Sequence, residues 1–329
     1  MIAANERVDI QSQGLNNNQG QIGSVAEQLN IDTGLGILLN QSGLLQSTGD
    51  LTLKVTGLNN DQGQINSLGK ATISSKGDLS NDAGQIAANN QLEISSNNLS
   101  NNLGTIQSGE NAGLQLKIDG VLNTQAGQIN SGSDLNIDVD VLDNSQQGQI
   151  SAQKTLNITT LHQLDNHTGQ ILANQKIQIN SQGLNNDQGQ IASIQSSLNI
   201  QAGQQQLSNQ SGALQAKSDL KLQAYNINNA AGLISSQTKI EIESQQQLDN
   251  QRGSIVADQG LTIHSQGLNS DQGQITSAQG DVILDAGHAV LSNQAGMIVS
   301  GKDLTLIADQ LDSYKGQING QNNLEIITT

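Results

Sequence analysis

The sequence of 329 residues contains no cysteine, proline, tryptophan or phenylalanine, and its only aromatic residues are Tyr225 and Tyr314. The lack of cysteine excludes a disulfide framework and thiolate metal sites. The lack of aromatic rings means that a hydrophobic core has to be built from aliphatic side chains of similar size. No proline hinge, charge block or shift in composition divides the chain, which favours one continuous array over several domains.

Basic residues are scarce, with 13 Lys and Arg against 29 Asp and Glu and a formal net charge of −16. No basic run is available to neutralise phosphates or anionic lipids, so we expect binding neither to nucleic acid nor to a membrane surface. No apolar run approaches the roughly 20 residues of a membrane span, and the first part of the chain lacks the apolar core of a signal peptide. We therefore expect no membrane insertion of this segment and an export signal outside it.

A glycine that we call the corner glycine recurs every 20 to 23 residues along the whole chain, and we expect it to form a turn. It is found at Gly20, Gly43, Gly63, Gly84, Gly104, Gly127, Gly148, Gly169, Gly189, Gly212, Gly232, Gly253, Gly273, Gly296 and Gly316. Two residues after each corner glycine stands Leu or Ile, and for the isoleucines we predict a core ladder. These are Ile22, Ile65, Ile86, Ile106, Ile129, Ile150, Ile171, Ile191, Ile234, Ile255, Ile275, Ile298 and Ile318.

Each repeat reads Leu-x-Asn, a glycine turn, Gln-Ile-x-Ala/Ser, a second turn, and Leu-x-Ile-x-Ser. Apolar residues that alternate with polar ones indicate short strands with one face inside, whereas the spacing of an amphipathic helix is missing. Such strands become stable when each coil of the chain stacks on the previous one. The pattern predicts an all-β fold, a single-stranded right-handed parallel β-helix of about 15 coils of 20–23 residues with three short strands per coil. The handedness follows from the crossover rule.

The sequence also has a longer repeat that comprises four coils, because equivalent tetrapeptides begin at Ile2, Ile86, Ile171 and Ile255. We interpret it as duplication of a four-coil block within one continuous β-helix segment of residues 1–329. The predicted super-repeats lie near residues 2–85, 86–170, 171–254 and 255–329. Solenoids need polar caps at their ends, and the sequence shows none, so we expect the segment to be excised from a longer chain.

Asparagine recurs two residues after the corner leucine in twelve of the fifteen repeats, and Thr124, Ser270 and Ser313 replace it in the others. Strand alternation directs this side chain inward, where an unpaired amide would cost about 1–3 kcal/mol. Stacking removes that cost, because each amide can bond to the coils on either side. We predict a structural ladder, with a ligand contact as the alternative. Its members are Asn17, Asn40, Asn60, Asn81, Asn101, Asn144, Asn166, Asn186, Asn209, Asn229, Asn250 and Asn293.

The residues that could carry chemistry are few. His162 and His167 flank one corner and are expected to point outward, so we favour solvated turn residues over a metal pair. A solvated acidic face is likewise favoured over a calcium site, since the glycine-rich motif of calcium β-rolls is absent. The acidic residues considered are Asp61, Asp82, Asp134, Asp138, Asp140, Asp143 and Asp165.

Catalysis on polysaccharides, known for some parallel β-helix enzymes, would need clustered carboxylates with a nearby Arg or Lys. The only arginines are Arg7 and Arg252, about twelve coils apart, and no coil carries paired carboxylates suited to glycan cleavage. The sequence therefore predicts no enzyme, no catalytic residue, no cofactor and no metal.

The pattern of residues 79–88, followed by Leu-Glu-Ile-Ser at 92–95, resembles the filamentous haemagglutinin repeat. That repeat belongs to large bacterial exoproteins exported by two-partner secretion, which include adhesins and contact-dependent growth inhibition toxins of the CdiA type. The resemblance covers essentially the whole chain. It implies a right-handed parallel β-helix at the bacterial cell surface, an outer-membrane transporter as partner during export, and a stalk that presents adhesive or toxic modules to a target cell.

This reasoning leads to three hypotheses about function. The leading one is a structural stalk, and the most remote is a polysaccharide-processing enzyme. The main alternative to the stalk is an adhesive module that contacts a receptor on the target cell through an outward strip. That strip would be the acidic region near Asp138 and Asp140 or the row Gln128, Gln149, Gln170 and Gln190.

Overall fold

The computed structural model describes residues 1–328, which form strands and turns without a helix. No part of that range therefore offers a helix long and apolar enough to cross a bilayer. The chain divides into two compact units, Met1–Leu161 and His162–Thr329. Within each unit it winds through stacked coils, and every coil contributes one strand to each of three faces. Each unit is thus a parallel β-solenoid, which confirms the predicted fold class.

The first face is built from the strands that directly follow the corner glycine, all but one of them four residues long. In the first unit they are Ile2–Ala4, Gln21–Ser24, Leu44–Ser47, Gln64–Ser67, Gln85–Ala88, Thr105–Ser108, Gln128–Ser131 and Gln149–Ala152. In the second unit they are Gln170–Ala173, Gln190–Ser193, Ala213–Ala216, Leu233–Ser236, Ser254–Ala257, Gln274–Ser277, Met297–Ser300 and Gln317–Gly320.

The second face carries the Leu-x-Ile segments of the repeat. Its strands in the first unit are Val8–Gln11, Leu29–Asp32, Leu51–Val55, Ala71–Ser75, Leu92–Ser96, Leu114–Asn123, Leu135–Asp143 and Leu156–Thr160. In the second unit they are Ile177–Asn180, Leu198–Gln201, Leu220–Ala224, Lys239–Ser244, Gly260–His264, Val282–Asp285, Leu304–Ala308 and Leu324–Thr328.

The third face has strands of two or three residues that lead into the corner. They are Leu15–Asn16, Ile37–Leu39, Gly57–Asn59, Leu79–Ser80 and Leu99–Ser100 in the first unit, where Leu114–Asn123 and Leu135–Asp143 continue from the second face into the third. In the second unit they are Gln163–Asp165, Gly183–Asn185, Gln206–Ser208, Asn226–Asn228, Leu248–Asp249, Leu268–Asn269, Val290–Ser292 and Gln310–Asp312.

Parallel pairing, with a register shift between Ile118 and Val121 in one strand pair, places equivalent residues of successive coils side by side. Ile65 lies between Leu45 and Ile86, and Gln64 pairs with Gln85 on the outer surface. Strands in such a sheet lie about 4.8 Å apart, so an inward residue type that recurs in every coil forms a continuous column. This register explains why short strands, none of which could bury a face alone, share a core within each unit.

The core is aliphatic and closely packed. Of the thirteen isoleucines two residues after a corner glycine, twelve are at most 2% exposed, and Ile318 in the last described coil is half-buried. Burial of one such side chain contributes roughly 1.5–3 kcal/mol. The residue two positions further on is small, usually Ser or Ala, because it lies at the bend between the first and second faces. There the hydroxyl of Ser47 contacts the carbonyl oxygens of Glu27 (2.8 Å) and Asp50 (3.0 Å).

Candidate functional site

The asparagines predicted to form a ladder lie inside the corner between the third and first faces, each at most 6% exposed. Nδ2 of Asn166 donates to Oδ1 of Asn186, and Nδ2 of Asn186 donates to Oδ1 of Asn209, both over 2.7 Å. Nδ2 of Asn186 also lies 3.3 Å from the carbonyl oxygens of Gly189 and Ala213. Contacts of 2.7–2.8 Å also join Asn17–Asn40, Asn40–Asn60, Asn60–Asn81, Asn81–Asn101, Asn209–Asn229 and Asn229–Asn250.

Hydroxyl residues in the same column give longer contacts. Asn101 donates to Oγ1 of Thr124 and Asn250 donates to Oγ of Ser270, both over 3.3 Å. In the coil after Ser270, the buried Oδ1 of Asn293 has no hydrogen-bond partner among the described residues. A serine is too short to deliver a donor to the next coil as an asparagine does, so the ladder is weaker at this point.

The corner glycine allows the backbones of adjacent coils to lie close together. This corrects our expectation that the glycine forms the turn. The left-handed backbone conformation belongs to the preceding residue, for example Gln188 with φ 57°. A Cβ atom on Gly189 would lie 2.2 Å from the carbonyl oxygen of Asn166 in the previous coil. Glycine is therefore required because two backbones approach closely. The equivalent left-handed residues are Gln19, Ser42, Gln62, Ala83, Leu103, Ala126, Gln147, Thr168, Ser211, Ala231, Arg252, Gln272, Ala295 and Lys315.

One corner contains an extra residue, between Asn144 and Gly148. Both Gln146 and Gln147 are left-handed there, with φ 54° and 70°. The backbone N–H of Gly148 donates to the carbonyl of Ser145 (3.1 Å), whereas in the other corners the glycine bonds to the residue of the ladder position. Asn144 is still fully buried. The insertion is thus absorbed by the turn without displacing the asparagine from the interior.

The carboxylates of Asp61 and Asp82, considered as calcium ligands, hold the corner of the following coil. Oδ1 of Asp82 accepts from the hydroxyl of Ser100 (2.6 Å) and from the backbone N–H of Asn102 (2.9 Å). Asp61 accepts from the hydroxyl of Ser80 and from the N–H of Asp82 (3.2 Å). The same arrangement recurs at Asp187 with Ser208 and Gln210, and at Asp271 with Ser292 and Gln294.

These contacts reveal two ways of satisfying one backbone amide in the corner. Most coils have Asn or Asp after the corner leucine, and its side chain accepts from the N–H two residues on, as Asn185 does from Asp187 (3.1 Å). Where serine stands instead, the preceding coil supplies an aspartate. Sequence reasoning missed this exchange. The sequence contains a signal for it: each of the four serines at this position lies one coil after an Asp that directly follows the ladder position.

The remaining acidic and histidine residues are dispersed. Among residues 1–328 there is no group of three or more His, Asp or Glu side chains that could hold a metal ion. Asp134 accepts from the N–H of Thr155 (3.0 Å), and Asp165 accepts from the N–H of His167 (2.9 Å). His162 and Asp138 are exposed on the surface. These side chains cap turns or face water.

One carboxylate on the surface of the first unit has a perturbed pKa. Asn98 donates to Oδ1 of Asp78 (2.8 Å), and Asn97 donates to the same oxygen (3.1 Å). These bonds favour the ionised form and lower the pKa of Asp78, with Asn98 the larger cause. The effect links adjacent coils, because both donors lie about one coil after Asp78.

The haemagglutinin repeat family model matches the chain from end to end in overlapping stretches. They comprise residues 1–34, 24–83, 80–120, 111–168, 160–204, 195–252, 247–293 and 286–329. The chain belongs to the haemagglutinin repeat family. No curated protein and no solved structure matches it. The corner described above is therefore the haemagglutinin repeat seen in three dimensions, and its most regular residues are those that contact the next coil.

Proposed function

We propose that this haemagglutinin-repeat segment is a rigid stalk within a large secreted bacterial surface filament, and that it presents adhesive or toxic modules to a target cell. The observation that carries the proposal is that the recurring residues of the repeat contact the adjacent coils. Asn186 bonds to the coils on both sides, Gly189 allows the backbone of Asn166 to approach, and Asp187 holds the next corner. The recurring side-chain contacts of the repeat thus act between coils, which is what a spacer requires.

Export and location belong to the same proposal. We infer that the chain leaves the cell through an outer-membrane transporter of the two-partner secretion type and acts at the cell surface. Membership of the haemagglutinin repeat family supports this. A sequence without cysteine also suits export, because no disulfide can form before an unfolded chain is threaded through a pore.

The stalk proposal is tested by removing a four-coil block in phase from the surface protein. Deletion of residues 171–254 joins Gln170 to Ile255 and preserves the repeat. The protein is expected to reach the surface with its β-sheet circular dichroism intact. A tag placed beyond the segment should lie nearer the membrane by roughly 19 Å, or four layers of about 4.8 Å.

A matched control removes residues 171–244, which places the junction out of phase. This variant should lose cooperative unfolding, because strands of different faces would meet at the junction. An unchanged tag distance after the in-phase deletion would contradict a stalk function.

An adhesive function of the same segment is the alternative, and the exposed carboxylate of Asp138 motivates it. The purified segment is added to target cells, and binding is measured against concentration. Saturable binding that is lost in the variant Asp138→Asn with Asp140→Asn would favour an adhesive surface over a stalk. Cleavage of glycans by the purified segment would overturn both proposals.

A further inference from the structure

The described strands of the first face contain no charged residues. Within residues 1–328, none of the sixteen first-face strands contains Asp, Glu, Lys, Arg or His. By contrast, ten of the sixteen second-face strands contain Asp, Glu or Lys, such as Glu241 and Glu243 in the strand Lys239–Ser244. Both faces are half solvent-facing, so the requirements of the core do not explain the difference. The first face is free of charge on a chain with a net charge of −16.

The outward side chains of the first face in the second unit combine amides with aliphatic groups. Leu172 pairs with Ala192, and Ala213 pairs with Leu233, in adjacent coils. Val256 lies one coil further on beside Ser235. The five aliphatic side chains among them are buried or half-buried rather than fully exposed. Along this face the aliphatic side chains are interspersed with amides, since Gln190 pairs with Ala213 and Ala192 pairs with Gln215. The face therefore combines apolar area and hydrogen-bonding groups with an absence of charge, as the cores of protein interfaces do.

Two properties of this face favour a second copy of the same chain as the occupant. Amide and hydroxyl groups donate and accept hydrogen bonds, so a surface made of them is complementary to itself. A second copy also has the same spacing of about 4.8 Å between coils, so one alignment brings every coil of one face opposite a coil of the other. The carboxylates elsewhere on the surface would repel their counterparts.

We propose that the first face of the second unit, made by the strands from Gln170–Ala173 to Met297–Ser300, binds the first face of a second copy side by side. The inference rests on surface chemistry and holds whether or not the segment acts as a stalk. Sheets that pack face to face lie about 10 Å apart, which leaves room for interdigitating glutamine and leucine side chains.

The size of the face predicts a weak association. Seven strands at about 4.8 Å and four residues at about 3.3 Å give a face of roughly 440 Å². Stable interfaces bury about 800 Å² on each partner. We therefore expect a reversible dimer that forms with rising protein concentration and is strengthened by salt, which screens the repulsion between two negatively charged chains.

Sedimentation velocity of the purified chain over a range of concentrations tests the proposal. The decisive variant is Gln190→Glu with Gln274→Glu, which keeps the size of both side chains and adds carboxylates to the first face. Like charges placed opposite each other oppose association, so we expect the association constant to fall about tenfold or more. The matched control is Gln178→Glu with Gln201→Glu, which adds the same charge on the second face and should associate like the parent chain at high salt.

Other outcomes overturn the proposal. A chain that stays monomeric at all concentrations, or equal weakening by the two pairs of substitutions, would contradict binding through the first face. End-to-end stacking is distinguished by Ile326→Lys, because Ile326 lies on the exposed strand Leu324–Thr328 and is 46% exposed. Loss of the dimer in that variant, with the dimer retained in the Gln190→Glu and Gln274→Glu variant, would show stacking instead. Circular dichroism of every variant separates loss of association from loss of fold.

Discussion

The corner between the third and first faces differs from the turn between the second and third faces. The corner has nearly the same length and composition in every coil. The other turn is absent where Leu114–Asn123 and Leu135–Asp143 run through both faces, is the single residue Thr56 in another coil, and has four residues at Thr33–Gly36 and Ala202–Gln205. Its longer forms project side chains into solvent, such as Leu35, which is 81% exposed. The comparison teaches that the repeat is strict where the buried asparagine column and the close approach of two backbones coincide, and variable where the turn projects side chains into water.

The largest effect is expected from Gly189→Ala. The new methyl group would lie 2.2 Å from the backbone oxygen of Asn166, and neither backbone can move without disturbing its own coil. We expect a loss of about 3 kcal/mol or more in the free energy of unfolding, measured by urea denaturation.

Gly203→Ala in the variable turn between the second and third faces is the control. Gly203 has φ 47°, and its new Cβ would lie 2.7 Å from the flexible side chain of Gln182 but no closer than 3.0 Å to backbone, at the carbonyl oxygen of Ser181. A loss of about 1–2 kcal/mol is therefore expected. Equal losses would remove the distinction between corner and turn.

A second prediction concerns the asparagine ladder. Asn186→Leu removes the acceptor of Asn166 and leaves the buried Oδ1 of Asn209 without its donor. Unpaired buried groups cost about 1–3 kcal/mol each, so the melting temperature should fall clearly. Asn185→Leu changes the neighbouring half-exposed residue, whose side chain makes one contact with the N–H of Asp187, and should have a smaller effect. An unchanged melting temperature in Asn186→Leu would mean that the ladder adds no stability.

A third prediction is a gain of stability. Ser270→Asn completes the column between Asn250 and Asn293 and offers a donor to the buried Oδ1 of Asn293. A net gain of about 1 kcal/mol is expected from the new hydrogen bond, seen as a higher urea midpoint. A lower midpoint would indicate that the corner at Ser270 has adapted to the smaller side chain.

The smallest effect is expected from the pH dependence of Asp78. Its pKa is lowered in the folded state by Asn98 and Asn97, so the folded state is stabilised above the usual pKa of the carboxyl. That contribution is lost as the pH falls through the lowered value. The melting temperature of the parent chain should therefore drop slightly more on acidification than that of Asp78→Asn. Identical acid profiles would show that the two amide bonds have no effect on stability.

Most of the fold was predictable because its signal is repeated in every coil. The alternation around Ile86 and Leu92 indicated strands, and the recurring asparagine indicated an inward polar column. The reason for the corner glycine was not predictable, because it depends on the distance between the backbones of adjacent coils. The part played by Asp187 in the following corner was also missed, since its partner Ser208 lies 21 residues away in sequence.

The contacts between coils are tested most directly by a double-mutant cycle on Asn186→Ala and Asn209→Ala. Their side chains share a hydrogen bond of 2.7 Å between Nδ2 of Asn186 and Oδ1 of Asn209. The losses in the free energy of unfolding should fail to add by about 1 kcal/mol or more, because either substitution alone already breaks the shared bond. The pair Asn60→Ala and Asn186→Ala, whose members share no contact, should be additive. Additive losses for Asn186 and Asn209 as well would contradict the account of a ladder that holds the coils together.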